Sequence, residues 1–169
     1  MQFIEQFPVF CVPLLKLLWN ISLDENFRVA QYKIFITIAR LRGEGETVER
    51  ISIELDSGIK LSAIEGGSGQ PLIMIPGWSQ TAAEWQENAE AFTDHNRVIA
   101  LDMRGHGESN KPKQGYRVFR LAKDLSEAMD RLGITSTDLM GHSMGCAVIW
   151  AYLDLFGSSR AKRLVLVDQ

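Results

Sequence analysis

The chain has 169 residues, of which 46% are hydrophobic and 23% are charged, and its formal charge at pH 7 is −3. This balance is typical of a soluble globular domain, and the charge is too small for a polybasic nucleic-acid binder or an acidic disordered tail. Two cysteines, Cys11 and Cys146, lie far apart and indicate neither a disulfide framework nor a zinc site. We therefore expect no nucleic-acid partner and no metal.

The N-terminal region opens with an apolar run, 7–19, which is interrupted by Pro8, Pro13 and Lys16. It is shorter than the roughly 20 residues that a membrane-spanning helix needs, and no small-residue cleavage site follows it. We therefore expect no spanning segment, no secretory signal and a cytoplasmic location. Two interpretations of 7–19 stay open: a segment that docks on apolar protein surface, and a weak interfacial membrane anchor.

A second N-terminal unit, 27–42, has apolar residues at helical spacing. Gly43 and Gly45 end this pattern and indicate a linker. The sequence thus predicts an apolar, helical appendage over 1–45 and a core domain over 46–169.

Short apolar runs and helical patterns alternate after Thr47. A turn, 56–58, lies between two alternating segments and predicts an antiparallel hairpin. Later apolar runs without alternation predict strands buried on both faces, at 72–75, 98–101, 139–140 and 164–167. Helical patterns between them cover 81–92, 118–132 and 144–156. This order predicts an α/β fold: a six-stranded, mostly parallel sheet with flanking helices, its last strand at an edge.

The sharpest motif is Gly141-His142-Ser143-Met144-Gly145, which follows a predicted strand and opens a predicted helix. A serine at such a turn stands at the carboxyl edge of the sheet, and glycines two residues away on either side avoid steric collision. The motif therefore predicts that Ser143 is a catalytic nucleophile. Cys146, one helical turn further on, is interpreted as a packing residue.

A second segment supports this interpretation. Pro76-Gly77-Trp78 follows the predicted strand 72–75 and precedes a helix. The backbone N–H groups of Trp78 and Met144 are the predicted oxyanion hole, which would bind the negative charge that develops on a substrate carbonyl oxygen.

A third segment, 102–109, joins a strand end to a loop dense in glycine and charge. Its polar residues Asp102, Arg104 and Ser109 are expected to hold the loop through side-chain hydrogen bonds to the backbone. We expect no direct catalytic role for them.

In this order, the three segments resemble the α/β-hydrolase superfamily, and in detail its serine esterase and non-haem haloperoxidase-like branch. The resemblance spans 47–169 and implies acyl transfer from a carboxylic ester or related small molecule to water, with no cofactor. Epoxide hydrolases and haloalkane dehalogenases are similar elsewhere but have an aspartate where this chain has Ser143.

The resemblance also implies that an acid and then a histidine follow the nucleophile in the chain. Asp168 is a candidate acid, at a position that a minority of the family uses. All three histidines, His95, His106 and His142, precede Ser143. The core also has six predicted strands where the family fold has eight. We therefore expect an N-terminal portion of a hydrolase, inactive as this chain.

Two function classes remain. The first is a serine hydrolase whose base lies beyond residue 169, and the second is a non-catalytic α/β-hydrolase-like protein that binds a small ligand or partner. Downstream aspartate and histidine codons would favour the first. The chain contains neither GxGxxG nor GxxxxGK[ST], so a nucleotide-binding module is disfavoured.

Overall fold

The structure, a computed structural model, describes residues 47–168. The predictions for 7–19 and 27–42 lie outside these residues, and the boundary between 1–45 and 46–169 stays a prediction. Within 47–168, the strands are β1 Glu49–Glu54, β2 Lys60–Gly66, β3 Gln70–Ile75, β4 Asn96–Leu101, β5 Thr137–His142 and β6 Ala161–Val167. The α-helices of the same residues are α1 Gln86–Phe92, α2 Val118–Arg131 and α3 Met144–Phe156.

The six strands form one sheet in the order β1-β2-β4-β3-β5-β6. The hairpin β1–β2 is antiparallel, and β2 pairs antiparallel with β4. The remaining pairs, β3–β4, β3–β5 and β5–β6, are parallel. The predicted mixed sheet is confirmed. Within the described residues, β6 pairs with β5 alone and lies at the edge of the sheet, as expected.

Two of the three predicted helices match closely. The pattern at 144–156 is α3, and the pattern at 118–132 is α2, which ends one residue earlier. Gly133 and Gly157 follow α2 and α3 with φ of 66° and 74°, a left-handed conformation that favours glycine and ends a helix.

The helical stretch predicted over 81–92 is present, with Thr81 as its N-cap. Ala82–Trp85 forms a 3₁₀ turn, and only Gln86–Phe92 is α-helical. Because the backbone N–H of Ala82 donates to Asp102 Oδ1 at 2.6 Å, a buried carboxylate determines where this helical segment begins. No helix in the described range, 47–168, is long and apolar enough to cross a membrane.

The apolar core lies on both faces of the sheet. One face packs against α2 and α3, with the side chains of Leu125, Met129 and Tyr152 fully covered. The other packs against the 3₁₀ turn and α1 through Trp85 and Ala89. Burial on both faces explains why the parallel strands read as continuous apolar runs. The carboxyl ends of β3, β4 and β5 meet at one edge, which places their following loops together.

Candidate active site

Ser143 occupies the sharp turn between β5 and α3, where the sequence predicts it. Its backbone has φ 49° and ψ −112°, an uncommon conformation for a residue other than glycine. Its side chain is exposed, its N–H donates to the carbonyl of Val167 at 2.9 Å, and its carbonyl accepts from the N–H of Cys146 at 2.9 Å. Strained residues held by their surroundings cluster at functional sites. The nucleophilic role itself stays a prediction.

Gly141 and Gly145 provide the close approach that this turn needs. A Cβ on Gly141 would lie 2.7 Å from the carbonyl carbon of Gly145 and 2.8 Å from the N of Cys146. A Cβ on Gly145 would lie 2.2 Å from the carbonyl oxygen of Ile75, at the end of β3. These neighbours are backbone atoms, which cannot rotate away. The first turn of α3 therefore contacts β3 only because position 145 has no side chain.

We expect Gly145→Ala to lower the free energy of unfolding by about 3 kcal/mol, the upper range for overpacking a rigid site. Urea denaturation followed by tryptophan fluorescence measures this cost. Gly133→Ala is the control, because a Cβ there meets nothing within 4 Å and only the positive φ is strained, which costs about 1 kcal/mol. Equal costs for the two variants would contradict the steric explanation.

The loop after β3 carries the other half of the predicted oxyanion hole. The carbonyl of Gly77 accepts from the N–H of Gln80 at 3.2 Å, which closes a tight turn with φ 58° at Ser79. Trp78 is 67% exposed at the tip of this turn. Because Gly145 packs against Ile75, the loop and the N-terminus of α3 are neighbours. The oxyanion roles of Trp78 and Met144 stay predictions.

Gln80 is a site residue that sequence reasoning missed. Its side-chain oxygen, Oε1, lies 2.7 Å from the N of Gly77 and 2.6 Å from Nδ1 of His142. The other ring nitrogen of His142, Nε2, lies 4.0 Å from the carboxylate of Asp168. Asp168 is 60% exposed and follows β6 with φ 54°. No local pattern marks Gln80, because its partner His142 is 62 positions away.

Asp102 and Ser109 hold the loop after β4 as predicted. The fully buried carboxylate of Asp102 accepts from the N–H groups of Ala82 at 2.6 Å and Glu108 at 3.0 Å. Ser109 Oγ donates to the carbonyl of Asp102 at 2.6 Å and accepts from the N–H of Ser62 at 2.8 Å. Asp102 also accepts from Arg50 Nη1 at 2.9 Å, a contact that the sequence did not predict.

Arg104 holds the loop differently from the prediction. Its guanidinium donates not to the backbone but to the Asp124 carboxylate of α2, with Nε–Oδ2 and Nη2–Oδ1 distances of 2.6 and 2.7 Å. This hydrogen-bonded pairing raises the pKa of Arg104 above its ordinary value. A local hydrogen-bonding rule could not find this contact, because its partner lies on a helix further along the chain.

A cleft of about 430 Å³ lies between the loops after β3 and β4. The rings of Trp78 and His106 meet edge to face in it, with centroids 5.6 Å apart, and Tyr116 also lines it. His106 Nδ1 lies 3.0 Å from the carbonyl oxygen of Arg104, so Nδ1 carries the proton. His95 directly precedes β4, at the opposite end of the parallel strands from Ser143.

Cys146 is a packing residue, as interpreted from the sequence. It is buried, and its Sγ lies 3.2 Å from the carbonyl oxygen of Gly141 and 3.4 Å from that of Val167, so its one S–H can donate to either. Burial raises the pKa of the Cys146 thiol, which keeps it protonated and unreactive. In the part of the chain that the structure describes, no group of three His, Cys, Asp or Glu side chains could hold a metal ion.

The family model of the alpha/beta hydrolase fold matches residues 70–169. The chain belongs to the α/β-hydrolase family. Similar proteins include a soluble epoxide hydrolase from a Corynebacterium species, 32% identical over 112 residues, which are 66% of this chain and 39% of that protein. A non-heme chloroperoxidase from Kitasatospora aureofaciens is also 32% identical over 112 residues, or 66% of this chain and 41% of that protein.

Solved structures of related proteins superpose on about 70% of this chain. The crystal structure of an epoxide hydrolase from Vigna radiata is 29% identical, with a TM-score of 0.66 over 70% of this chain and 39% of that one. The chain thus spans about two fifths of the length of these two curated relatives.

Proposed function

We propose that this α/β-hydrolase is a serine hydrolase that transfers the acyl group of a small carboxylic ester or related compound to water. The observation that carries the proposal is Ser143: an exposed serine with φ 49° at the carboxyl ends of the parallel strands. It directly precedes the N-terminus of α3, where the helix dipole favours developing negative charge. A buried serine in the interior of an ordinary helix has neither the exposure nor the positive φ of Ser143.

In the proposed mechanism, Ser143 Oγ attacks the substrate carbonyl and transfers its proton to a histidine base, while the N–H groups of Trp78 and Met144 donate to the oxyanion. The protonated base then gives this proton to the alcohol oxygen as the ester C–O bond breaks, which leaves an acyl-enzyme. Water, deprotonated by the same base, attacks the acyl-enzyme, and the base returns the proton to Ser143 Oγ as the carboxylic acid leaves. The proposed base is a histidine outside residues 1–169, and Asp168 is a candidate for the acid that orients it.

The epoxide hydrolases among the relatives suggest a second substrate class. Ser143 argues against an epoxide substrate, because the epoxide hydrolases of the family resemblance described above have an aspartate at this position. An ester substrate therefore fits this chain better than an epoxide. The chloroperoxidase similarity agrees with the serine-containing branch to which the motifs are similar.

The test is labelling of the full gene product with a fluorophosphonate probe. We expect the label on Ser143 and its complete loss in Ser143→Ala, since the probe reacts with activated serines. Ser79→Ala is a matched control, because Ser79 is also exposed, has φ 58° and lies on a loop at the same edge. The Ser79→Ala variant should be labelled at the wild-type rate. Mapping the modified peptide by mass spectrometry identifies the serine.

Labelling at another serine would refute the assignment of Ser143. No labelling of a folded gene product would favour the alternative, a non-catalytic α/β-hydrolase-like protein that binds a small ligand or partner.

A further inference from the structure

One side-chain oxygen joins the loop after β3 to the residue that precedes Ser143. Gln80 Oε1 lies 2.7 Å from the backbone N of Gly77 and 2.6 Å from His142 Nδ1. These two contacts, here called the Gln80 bridge, connect the ends of two adjacent parallel strands, β3 and β5. The bridge thus acts across the segments that carry the proposed oxyanion donors.

The Gln80 bridge fixes a proton position. The backbone N–H of Gly77 can only donate, so the amide atom that faces it is the oxygen. That same oxygen faces His142, and therefore Nδ1 of the imidazole must also donate. The neutral ring of His142 consequently carries its proton on Nδ1 and leaves Nε2 as an acceptor.

The backbone around the Gln80 bridge is built for close approach. A Cβ on Gly77 would lie 2.5 Å from Gln80 Oε1 and 3.0 Å from His142 Nδ1, so the bridge occupies the space of the missing side chain. The main chain of Gln80 contributes a second bond, from its N–H to the carbonyl of Gly77 at 3.2 Å. Gln80 therefore both closes the turn through Gly77 and connects it to His142.

We propose that Gln80 is a positioning residue, which sets the separation between the N–H groups of Trp78 and Met144 and holds His142 in the Nδ1–H tautomer. Its effect on the reaction rests on the proposed function of Ser143. Trp78 lies one residue after Gly77, and Met144 lies two residues after His142. A shift of the loop along the sheet edge would separate the two donors, and displacements near 1 Å can slow catalysis about 100-fold.

The experiment compares the full gene product with its Gln80→Glu and Gln80→Leu variants. Glu keeps an oxygen acceptor at nearly the same position, whereas Leu keeps the approximate volume without one. Nitrogen-15 NMR of histidine-labelled protein at alkaline pH, where the ring is neutral, reports the tautomer of His142. We expect Nδ1–H in the wild type and in Gln80→Glu, and a shift toward Nε2–H in Gln80→Leu.

The second readout is the rate of fluorophosphonate labelling at Ser143. We expect Gln80→Leu to slow it roughly 10- to 100-fold, with Gln80→Glu restoring most of the rate. Urea denaturation of each variant separates this effect from a general loss of stability.

The outcomes distinguish the positioning role from the proposed function. An Nε2–H tautomer in the wild type overturns the Gln80 bridge, whether or not Ser143 is labelled. A Gln80→Leu variant with the altered tautomer and wild-type labelling overturns the positioning role alone. An unlabelled wild type with the Nδ1–H tautomer overturns the proposed function and supports the bridge as a structural contact.

Discussion

Residues 1–169, expressed alone, are expected to hydrolyse p-nitrophenyl acetate about 10⁶-fold more slowly than an intact catalytic triad would, because removing the base of such a triad costs about that factor. His142 directly precedes Ser143, and the side chains of neighbouring residues in an extended segment point to opposite faces. Within residues 47–168, no hydrogen bond joins the ring of His142 or His106 to Ser143 Oγ. His95 stands before β4, far from the edge that carries Ser143. No histidine follows Ser143 in the sequence.

The matched control for this assay is Ser143→Ala in the same 169 residues. Its residual rate should equal that of the unsubstituted chain, since a serine without a base contributes little. Serine-dependent turnover at the rate of an ordinary esterase would contradict the prediction. His106→Gln and His142→Gln variants would then identify which of the two histidines acts as the base.

Arg104→Met is expected to lower the free energy of unfolding by about 3 kcal/mol or more, the usual cost of breaking a buried ion pair. The Asp124 side chain is completely buried, and that of Arg104 is 6% exposed. The variant leaves a buried carboxylate whose remaining cationic partner is Arg120, at 2.9 Å. Urea denaturation followed by circular dichroism measures the loss.

Two further variants test the reason for this loss. The double variant Arg104→Met/Asp124→Leu should lose less free energy of unfolding than the two single variants together. It removes both charges, whereas each single variant leaves one buried charge without its partner. Arg131→Met is the surface control, since the Arg131–Asp56 pair is 52% and 73% exposed, and such pairs contribute about 0–1 kcal/mol. Similar losses for Arg104→Met and Arg131→Met would contradict the role of burial.

The elements that depend on short-range patterns could be predicted from the sequence. Strands β3, β4 and β5 are apolar runs because helices cover both faces of the sheet, and α3 begins where Gly145 permits close contact with Ile75. The position of Ser143 followed from the same reasoning. The 3₁₀ form of Ala82–Trp85 did not follow from it, and neither did the hydrogen bond from the N–H of Ala82 to Asp102 at the end of another strand.

The contacts that complete the site depend on residues distant in sequence. Arg104 binds Asp124, and Gln80 binds His142, only after the sheet has brought their elements together. The residues that neighbour Gln80 and Arg104 in the sequence do not distinguish these side chains from exposed polar ones. Their roles follow from burial and from the register between strands, which single-sequence patterns do not contain.

The strand order has a consequence for biosynthesis. β3 lies between β4 and β5 in the sheet but precedes both in the chain. β5 begins about 60 residues after β3 ends, which the ribosome needs roughly 3 to 12 seconds to add at about 5–20 residues per second. Until β5 is complete, the apolar strand segment Leu72–Ile75 lacks its partner on at least one side, which makes it a binding segment for chaperones. Slowing translation between the codons for β3 and β5 should therefore increase chaperone dependence and aggregation.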